Sequence, residues 1–536
     1  MKKLRIANCG LQIAPSCHPE QSQGVTLHAP SFDKRRMTAN RQFRESANYP
    51  AAFSRWLLLL LSILSAAPLF PQTLSYSIPK KLSSKTPEFR ILGKNKEGVL
   101  VYKYGRSTHV IEAYGNKLNV RWEKSLTFKY NASSVKRIVI YPEKTLAFYL
   151  SDQKGVPVLF AEKWNGKFSG EGNAVLIDSV NSGKFDAEST VRVAVSQNQS
   201  KMVCYYPVSE SEEYAERVRL IIADGELNIL ARKDIPISKS GMLLRKVFPD
   251  NEGNVFILLE DENKSRKKAS TADAFTVKMY ETASEIVREL DFHFQRPIFR
   301  KLYMDMDNVN KNLIATGFYT DDAGEEAQGY FYSVYDLDSG VLRTNQYMKF
   351  SHDLIFEVTG KDTSRNFNGF YSFEVNDLVM RFDGGAIIIA ESRFDTEENM
   401  QVPSFTPSIG PSFRTINISY YNDIMLLSVA PDGTLDWSMV LKKKQISEDD
   451  DGFFSSYCLA TTGGKLHFVY NEEIYQKTNV SEYEVDKAGH SERQYLFNAG
   501  DRNVLLAPKL GKQISTNEIL IPSYKRNYLS FVKVTY

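Results

Sequence analysis

The chain has 536 residues, of which 24% are charged, 42% are hydrophobic, 12% are aromatic and only four are cysteines. These values exclude a disordered chain, a disulfide-rich miniprotein, a collagen-like fibre and a polytopic membrane protein. The net charge of +3 arises in residues 1–56, which hold nine Lys and Arg against three acidic residues, so the remainder carries 58 basic and 61 acidic groups. Such a body, with both signs interspersed, has no electrostatic footprint for nucleic acid.

The N-terminal segment predicts export. An apolar run, Trp56–Leu64, follows basic residues and precedes the small residues Ser65–Ala67. This pattern is typical of a signal peptide, and the run is shorter than the ~20 residues of a spanning helix. A buried core helix is the alternative. We expect cleavage between Ala66 and Gln72, and a mature protein that is periplasmic, outer-membrane-associated or extracellular and is not integral to the membrane.

The position of the apolar run suggests the domain boundaries. Met37 as the first residue would give a signal peptide of ordinary length, so we interpret residues 1–36 as a non-native or disordered extension. Residues 37–72 then form the signal-peptide region, and residues 73–536 form one domain. Two cysteines remain in that domain, Cys204 and Cys458, each inside a strand-like apolar run. We interpret both as buried small hydrophobic residues, with a disulfide between them as the alternative.

From residue 73 onward the chain consists of short β-type runs separated by turns rich in Gly, Asn and Asp. One apolar run recurs eight times, at Val99–Tyr104, Thr145–Ser151, Met202–Pro207, Val255–Glu260, Leu313–Tyr319, Ala386–Glu391, Leu466–Tyr470 and Ile519–Ser523. Each run lies in a unit with four predicted antiparallel strands, and units of about 40–50 residues of this kind are typical of β-propeller blades. The fold class predicted is therefore all-β, a β-propeller.

The last unit offers only three strands, at Val504–Pro508, Ile519–Ser523 and Ser530–Val534. Thr73–Ile78 is a suitable fourth strand, so we predict a ring closed by pairing the N-terminal strand with the C-terminal one. Eight blades are favoured and seven are the next choice. Two β-sandwich domains would explain the strands but not the repeat.

The segment Arg381–Asn471 carries the most specific motifs, namely Asp383-Gly384-Gly385, Tyr421-Asn422-Asp423-Ile424, Asp436-Trp437 and Lys444-Gln445-Ile446-Ser447. On these motifs the chain resembles uncharacterised exported bacterial β-propeller repeat proteins of Gram-negative envelopes. The turns Tyr335–Gly340 and Asp432–Trp437 are also similar to those of quinoprotein-type and related propellers. The resemblance implies a fold and an envelope location, but no reaction.

A search for catalytic and cofactor-binding patterns predicts no such residues. Gly-x-Ser-x-Gly and phosphate-binding glycine loops are absent from the sequence. Asp449, Asp450 and Asp451 concentrate carboxylates in the segment Glu448–Gly452, and calcium is the ion that such a cluster would take. A solvated acidic loop is the alternative.

A second candidate site is the insertion Thr396–Thr415, whose apolar residues Phe405, Ile409 and Phe413 suggest a partner-binding loop or lid. Packing across a neighbouring blade is the alternative. The insertion Ser351–Phe373 flanks the same blade, which favours this side of the molecule as the functional face.

We therefore expect an exported, non-catalytic binding or scaffold module in a periplasmic or outer-membrane-associated assembly, with other envelope proteins as partners. The alternative is a hydrolase or lyase acting on glycans or peptides, with carboxylates gathered at the central pore from different blades. A sensor of small periplasmic ligands is a third hypothesis.

Overall fold

The computed structural model describes residues 72–168, 172–211, 214–237, 241–265, 269–321, 324–362, 367–402, 412–474 and 478–536. The predicted extension, the signal-peptide region up to residue 71, and Phe405 and Ile409 lie outside the described residues. The described strands form eight antiparallel sheets of four or five strands each, which we call blades one to eight. This arrangement confirms the predicted all-β propeller built from four-stranded antiparallel units.

The first half of the chain supplies blades one to four and one edge of blade eight. Blade eight receives β1 (Thr73–Tyr76) and β2 (Lys80–Lys81), and blade one consists of β3 (Glu88–Asn95), β4 (Gly98–Tyr104), β5 (His109–Tyr114) and β6 (Val120–Ser125). Blade two consists of β7 (Ser134–Ile140), β8 (Lys144–Gln153), β9 (Val156–Asn165) and β10 (Asn173–Ser179), and blade three consists of β11 (Arg192–Val195), β12 (Lys201–Val208), β13 (Arg217–Asp224) and β14 (Ile229–Pro236). Blade four consists of β15 (Met242–Pro249), β16 (Val255–Asp261), β18 (Phe275–Glu281) and β19 (Ile286–Leu290), whereas β17 (Ala269–Ser270) joins the next blade.

The second half supplies the remaining blades. Blade five consists of β20 (Ile298–Asp307), β21 (Asn312–Tyr319), β22 (Gly329–Asp336) and β23 (Val341–Lys349). Blade six consists of β24 (Phe373–Met380), β25 (Ala386–Val402), β26 (Ser412–Val429), β27 (Leu435–Leu441) and β28 (Gln445–Glu448). Blade seven consists of β29 (Cys458–Thr462), β30 (Lys465–Asn471), β31 (Asn479–Val485) and β32 (Ser491–Asn498), and blade eight is completed by β33 (Lys512–Ser515), β34 (Glu518–Lys525) and β35 (Tyr528–Thr535).

Helices are few and short in the described part of the chain. They are α1 (Ala187–Thr190), α2 (His352–Thr359), α3 (Ala499–Arg502) and three 3₁₀ turns at Glu262–Lys264, Ala272–Ala274 and Pro508–Leu510. None of the described helices has the length and apolar character needed to cross a membrane. The predicted insertion after blade five contains α2, which starts where Ser351 Oγ accepts the backbone N–H of Leu354 at 3.2 Å and ends at Gly360, whose φ of 68° suits glycine.

The first strands of neighbouring blades lie side by side and form an inner ring, which in a β-propeller surrounds a central channel. In blades one to seven the main strands pair in chain order, so the first of them lies at or next to one edge of the sheet; β20 is flanked there by the two-residue strand β17, and the corresponding edge strand of blade eight is β33. Neighbouring first strands contact each other: β3 contacts β33 and β7, β11 contacts β7 and β15, β20 contacts β24, and β29 contacts β33. Lys246 Nζ of β15 also donates to the carbonyl of Met304 in β20 at 2.6 Å. The side chains that line the channel therefore belong to the first strands.

The second strands are the most buried part of each blade, because a neighbouring blade covers each face of the sheet. The eight predicted apolar runs all lie in these second strands, and every residue of β21 is buried. Side chains on opposite faces of one blade enter different apolar cores, as Ile314 and Leu313 do. Cys204 and Cys458 are free and buried in separate cores, as the sequence favoured.

The ring closes as predicted, because β1 pairs with β35 in a register that runs from Thr73↔Thr535 to Tyr76↔Val532. One strand prediction is wrong, since the first strand of blade eight is Lys512–Ser515 and not Val504–Pro508. Val504 and Leu506 are buried in the core between blades seven and eight although they belong to a connecting segment. Leu506 also forms an isolated antiparallel bridge with Ser523 of β34, so the segment meets the second strand of the blade briefly without forming a strand of its own.

Candidate functional site

A long β-hairpin distinguishes one face of the propeller. Strands β25 and β26 have 17 and 18 residues, whereas β24 next to them has eight. The first residue of β24, Phe373, pairs with Ser392 of β25, so the following residues of β25 project beyond the start of the innermost strand. We call residues 393–402 and 412–421 the hairpin arm, and the face from which it projects, where the first strands begin, the entry face.

The base of the arm is tied to the channel rim by aromatic contacts. Phe394 stacks on Tyr420 with ring centroids 4.4 Å apart and lies 6.1 Å from the ring of Tyr371. The carbonyl of Tyr371 accepts a hydrogen bond from Arg300 of β20 at 2.7 Å. The base is therefore held against both blade six and blade five, which fixes the direction in which the arm projects.

One edge of the arm is covered and the other is open. β28 pairs with β26 from Tyr421↔Gln445 to Ile418↔Glu448. The backbone N–H of Arg393 still donates to the carbonyl of Ser372 at 2.8 Å, but along 394–402 β25 pairs only with β26, so no other described strand covers its second edge. An open edge exposes unpaired backbone N–H and C=O groups, which are a template for another strand.

The structure of the arm contradicts one prediction from the sequence and shows where a second predicted residue lies. Residues 396–402 and 412–415 were expected to form a loop, but they are strand, paired from Thr396↔Ile418 to Val402↔Ser412. The alternation of β-branched and polar residues in Thr415–Ser419 explains the pairing. Phe413, a predicted partner-binding residue, is 67% exposed on the arm, where Met400 is 55% exposed. The partner-binding role of Phe413 remains a prediction.

Tyr421 anchors the arm to the loop that enters blade eight. The guanidinium of Arg393 lies 5.1 Å and the ammonium of Lys509 4.6 Å from the centre of its ring, and Lys509 also donates to Tyr421 Oη at 3.2 Å. The pKa of Lys509 is lowered to about 8, mainly by burial and secondly by the positive charge of Arg393. Two cations on one ring form a compact cation–π arrangement that holds the arm near blade eight.

The predicted calcium ligands lie beside the arm but do not converge. Asp449 pairs with Arg414 and accepts the backbone N–H of Asn417 at 3.1 Å, so it ties the acidic loop to the arm. Asp450 accepts the backbone N–H of Gly452 at 2.9 Å, and burial raises its pKa. No group of three His, Cys, Asp or Glu side chains in the described chain could hold a metal ion. A calcium ion at Asp449–Asp451 remains a prediction.

The first strands, which form the inner ring, carry an excess of positive charge. The eight first strands hold ten Lys and Arg but only five Asp and Glu, although residues 57–536 as a whole are slightly acidic. Most of the excess lies on blades one to three, in what we call the basic arc: Arg90, Lys94, Lys136, Arg137 and Arg192. Glu88 is the acidic residue on the first strands of these three blades. Sequence reasoning missed this arc because its members are spread over about 100 residues in segments that look like ordinary surface strands.

Two buried carboxylates, Asp377 and Glu391, lie close to the channel in blade six. Tyr457 Oη donates to Asp377 Oδ2 at 2.7 Å. Glu391 lies 2.7 Å from Lys443 Nζ and accepts a hydrogen bond from Ser456 at 2.7 Å. Burial, together with the nearby Glu391 charge, raises the pKa of Asp377 to about 6, against the opposing hydrogen bond from Tyr457. Both carboxylates are therefore engaged by protein groups.

In the unaltered protein, ionisation of Asp377 should lower the free energy of unfolding at neutral pH. We expect the substitution Asp377→Asn to abolish this pH-dependent decrease. The folded-state pKa of about 6 lies above the unfolded value, so folding favours the protonated carboxyl. The contribution of Asp377 to the free energy of unfolding is fully present below about pH 4 and is lost as the pH rises through about 6. The loss amounts to about 3 kcal/mol. Urea unfolding at pH 4.5 and 7.5 measures the effect. An unchanged pH slope in the variant would contradict the assignment.

Comparisons with known proteins add only a general likeness. No family profile and no curated protein sequence matches the chain. A solved protein from Lactobacillus plantarum is 10% identical over 76% of this chain and 95% of its own, with a TM-score of 0.37. The Nup133 β-propeller domain of Vanderwaltozyma polyspora is 7% identical over 74% and 99%, with a TM-score of 0.36.

Virginiamycin B lyase from Staphylococcus aureus is 7% identical over 87% of this chain and 100% of its own, with a TM-score of 0.32. Likenesses at this level carry no argument about activity. The propeller fold follows from the strand order and register of the chain itself.

Proposed function

We propose that the chain is an exported, non-catalytic β-propeller that binds another protein of the cell envelope through the hairpin arm. The observation that carries this proposal is the open edge of β25 along 394–402, which projects from the entry face. An extended segment of a partner can add to such an edge as a further strand. Backbone hydrogen bonds then supply affinity, and side-chain contacts supply selectivity.

The charge of the open strand indicates the chemistry of the partner. Asp395, Glu397 and Glu398 outnumber Arg393 on the exposed part of β25. Opposite charges on neighbouring strands stabilise the pair, and like charges destabilise it. We therefore expect an extended partner segment that carries Lys or Arg. Met400 and Phe413 supply exposed apolar surface on the same arm.

The placement of the chain in the envelope rests on the sequence. The signal-peptide pattern at Trp56–Leu64 precedes β1, which starts at Thr73. Cleavage between Ala66 and Gln72 would leave a mature protein that begins almost directly with the ring-closing strand. Periplasmic, outer-membrane-associated and extracellular locations all fit this arrangement.

The two carboxylates near the channel support a binding role over hydrolysis. A glycoside hydrolase needs two carboxyl groups that face the substrate, one of them as a proton donor. Asp377 and Glu391 are only 6% and 1% exposed, and both have protein partners. Their geometry favours a structural role in joining blade six to blade seven.

The test is site-specific photo-crosslinking of the tagged protein in its own host. A photoreactive residue in place of Thr396 should crosslink to one envelope protein through a segment rich in Lys and Arg, and mass spectrometry would identify that segment. The N terminus of the recovered protein should lie between Ala66 and Gln72. An intact N terminus on cytoplasmic protein would overturn the export part of the proposal.

A charge-reversal pair tests the binding part. Glu397→Lys with Glu398→Lys should reduce the crosslink at least about tenfold, because like charges then face each other. The matched control is Glu325→Lys with Glu326→Lys, another adjacent acidic pair, in the loop between β21 and β22 on the entry face. Equal crosslinking in both variants, or none in the unaltered protein, would overturn binding at the arm.

A further inference from the structure

Two adjoining cavities lie on the entry face of blade eight, where β34 ends and β35 begins. The larger has a volume of about 310 Å³, and its walls are the β34–β35 turn, Asn503 before β33 and Pro79 after β1. The smaller, of about 110 Å³, shares Pro79 and Ser530 with the larger and is also lined by Val504 and Phe531. We call the two together the blade-eight cleft. Sites for small molecules measure about 300–1,000 Å³, so the cleft has room for a small ligand.

Positive charge surrounds the blade-eight cleft. Lys525 and Arg526 line the larger cavity and Arg502 lines the smaller one, whereas no described carboxylate lines either. Within the described part of the chain, no ion pair or hydrogen bond engages the charged groups of these three residues. The guanidinium of Arg502 lies over the ring of Tyr76 at 5.3 Å, a contact that leaves its N–H donors available. The cleft therefore offers donors from three cations to one ligand.

Two serine hydroxyls lie at the bottom of the cleft. Ser530 is only 5% exposed and lines both cavities, and its hydroxyl has no hydrogen-bond partner among the described residues. Ser523 pairs with Ser530 across the two strands, and its Oγ accepts the backbone N–H of Leu505 at 2.9 Å, so its hydroxyl hydrogen can still be donated. Buried polar groups ordinarily have a hydrogen-bond partner. The hydroxyl of Ser530 is thus a buried polar group that a ligand in the cleft can satisfy.

The walls of the cleft are fixed by contacts that join the two ends of the chain. The backbone N–H of Leu82 donates to the carbonyl of Asn527 at 2.9 Å, and Tyr524 Oη donates to Asn527 Oδ1 at 2.9 Å. On the N-terminal side, Ser77 Oγ accepts the backbone N–H of Phe531 at 2.8 Å. Both the β34–β35 turn and the segment after β1 are therefore held in position without a ligand. Such preorganisation lowers the entropic cost of binding.

We infer that the blade-eight cleft binds a small organic anion, whose acidic group contacts Lys525 and Arg526 and whose apolar part faces Val504 and Phe531. The acidic group is an oxyanion, either a carboxylate or a phosphate. The planar guanidinium fork of Arg526 matches two oxygens of such a group, and the ammonium of Lys525 adds a point charge. Apolar walls with a few convergent polar groups are typical of small-molecule sites.

The cleft is independent of the hairpin arm. The arm belongs to blade six and carries an acidic strand, whereas the cleft is built by blade eight and the segments that flank β1 and β33. The proposed ligand is a small anion, and its binding requires no protein partner at the arm.

Calorimetric titration of the full chain with acetate, benzoate, inorganic phosphate and phenyl phosphate tests the inference, at an ionic strength held constant with sodium chloride. We expect saturable binding of benzoate or phenyl phosphate, at least about tenfold tighter than that of acetate or phosphate, because the ring is buried in the cleft. Tighter binding of benzoate would identify a carboxylate site, and tighter binding of phenyl phosphate a phosphate site. Absence of saturable binding for both aromatic anions would overturn the inference.

Substitutions locate the binding in the cleft. Lys525→Gln with Arg526→Gln should weaken the affinity at least about tenfold, because both charges that face the acidic group are removed. The matched control is Lys154→Gln, since Lys154 and Arg526 are each the first residue of a two-residue turn between the second and third strands of a blade. This control should bind as tightly as the unaltered chain. Equal affinity in the double variant and the unaltered chain would overturn the assignment.

Thermal unfolding without the ligand separates binding from a structural role. The double variant Lys525→Gln with Arg526→Gln should unfold at the same temperature as the unaltered chain, because neither charged group has a partner within the described chain. A marked drop in that temperature, together with the loss of affinity, would assign the two cations a structural role and overturn their role as ligand contacts.

Discussion

Replacing Glu391 by alanine is expected to lower the free energy of unfolding by about 3–5 kcal/mol. Glu391 and Lys443 form an ion pair at 2.7 Å, with side chains only 1% and 0% exposed. The substitution leaves the Lys443 ammonium without its counter-charge in the interior of blade six. Burial already lowers the pKa of Lys443, and Glu391 opposes that change, so loss of the carboxylate should lower this pKa further.

Denaturant unfolding monitored by fluorescence measures this effect. Replacing both partners, Glu391→Met with Lys443→Met, should recover most of the loss, because the pair then becomes apolar and of similar volume. The control is Glu143→Ala, which removes a carboxylate 76% exposed from its pair with Lys96 and should cause no measurable change. If the single and the double substitutions in the buried pair were equally destabilising, packing rather than charge would dominate.

Removing β1 should produce the second large effect. A chain that begins at Ser77 loses the outer strand of blade eight, including Leu74 and Tyr76, which pack on the core shared with blade seven. Tyr76 also contacts Phe497 of blade seven edge-to-face at 5.5 Å. Two partly buried side chains and the strand hydrogen bonds are together worth about 3–6 kcal/mol.

The matched reference is a chain that begins at Gln72, which retains all of β1. We expect the shorter chain to have a lower midpoint of thermal unfolding and faster hydrogen exchange in β35, the strand that pairs with β1. Equal midpoints for the two chains would mean that the propeller does not depend on its closing strand.

The second strands were predictable because burial on both faces leaves a direct mark on the sequence. Asn312–Tyr319 is an example, since all of its residues are buried. Continuous apolar runs of this kind recur once per blade, and turn residues separate them. The repeat and the fold class both follow from that one signal.

The first strands were harder to predict because one edge of each faces the channel. Lys512–Ser515 is polar and short, whereas the connecting segment that includes Val504 and Leu506 is apolar because it packs into a core. Hydrophobicity therefore selected the wrong segment for the strand. The hairpin arm was missed for a similar reason, since its outer residues are exposed and carry mixed charges.

The candidate site could not be predicted as a unit. Strands β3 and β7, which carry part of the basic arc, are neighbours because adjacent blades bring their first strands together, and nothing in the local sequence of either strand records the other. Periodicity locates strands but not the contacts between first strands of different blades. The acidic cluster at Asp449–Asp451 was visible because its members are adjacent in sequence.

The closure of the ring also determines the order in which the protein can be completed. Phe531 donates its backbone N–H to Ser77 Oγ across 454 positions of the chain. At a synthesis rate of about 5–20 residues per second, β1 waits roughly 20–90 s for its partner strand. During that interval β1 lacks its partner strand, and blade eight can be completed only after the strands of blades one to seven have been synthesised. A nascent-chain binding factor would therefore meet β1 before β35 exists.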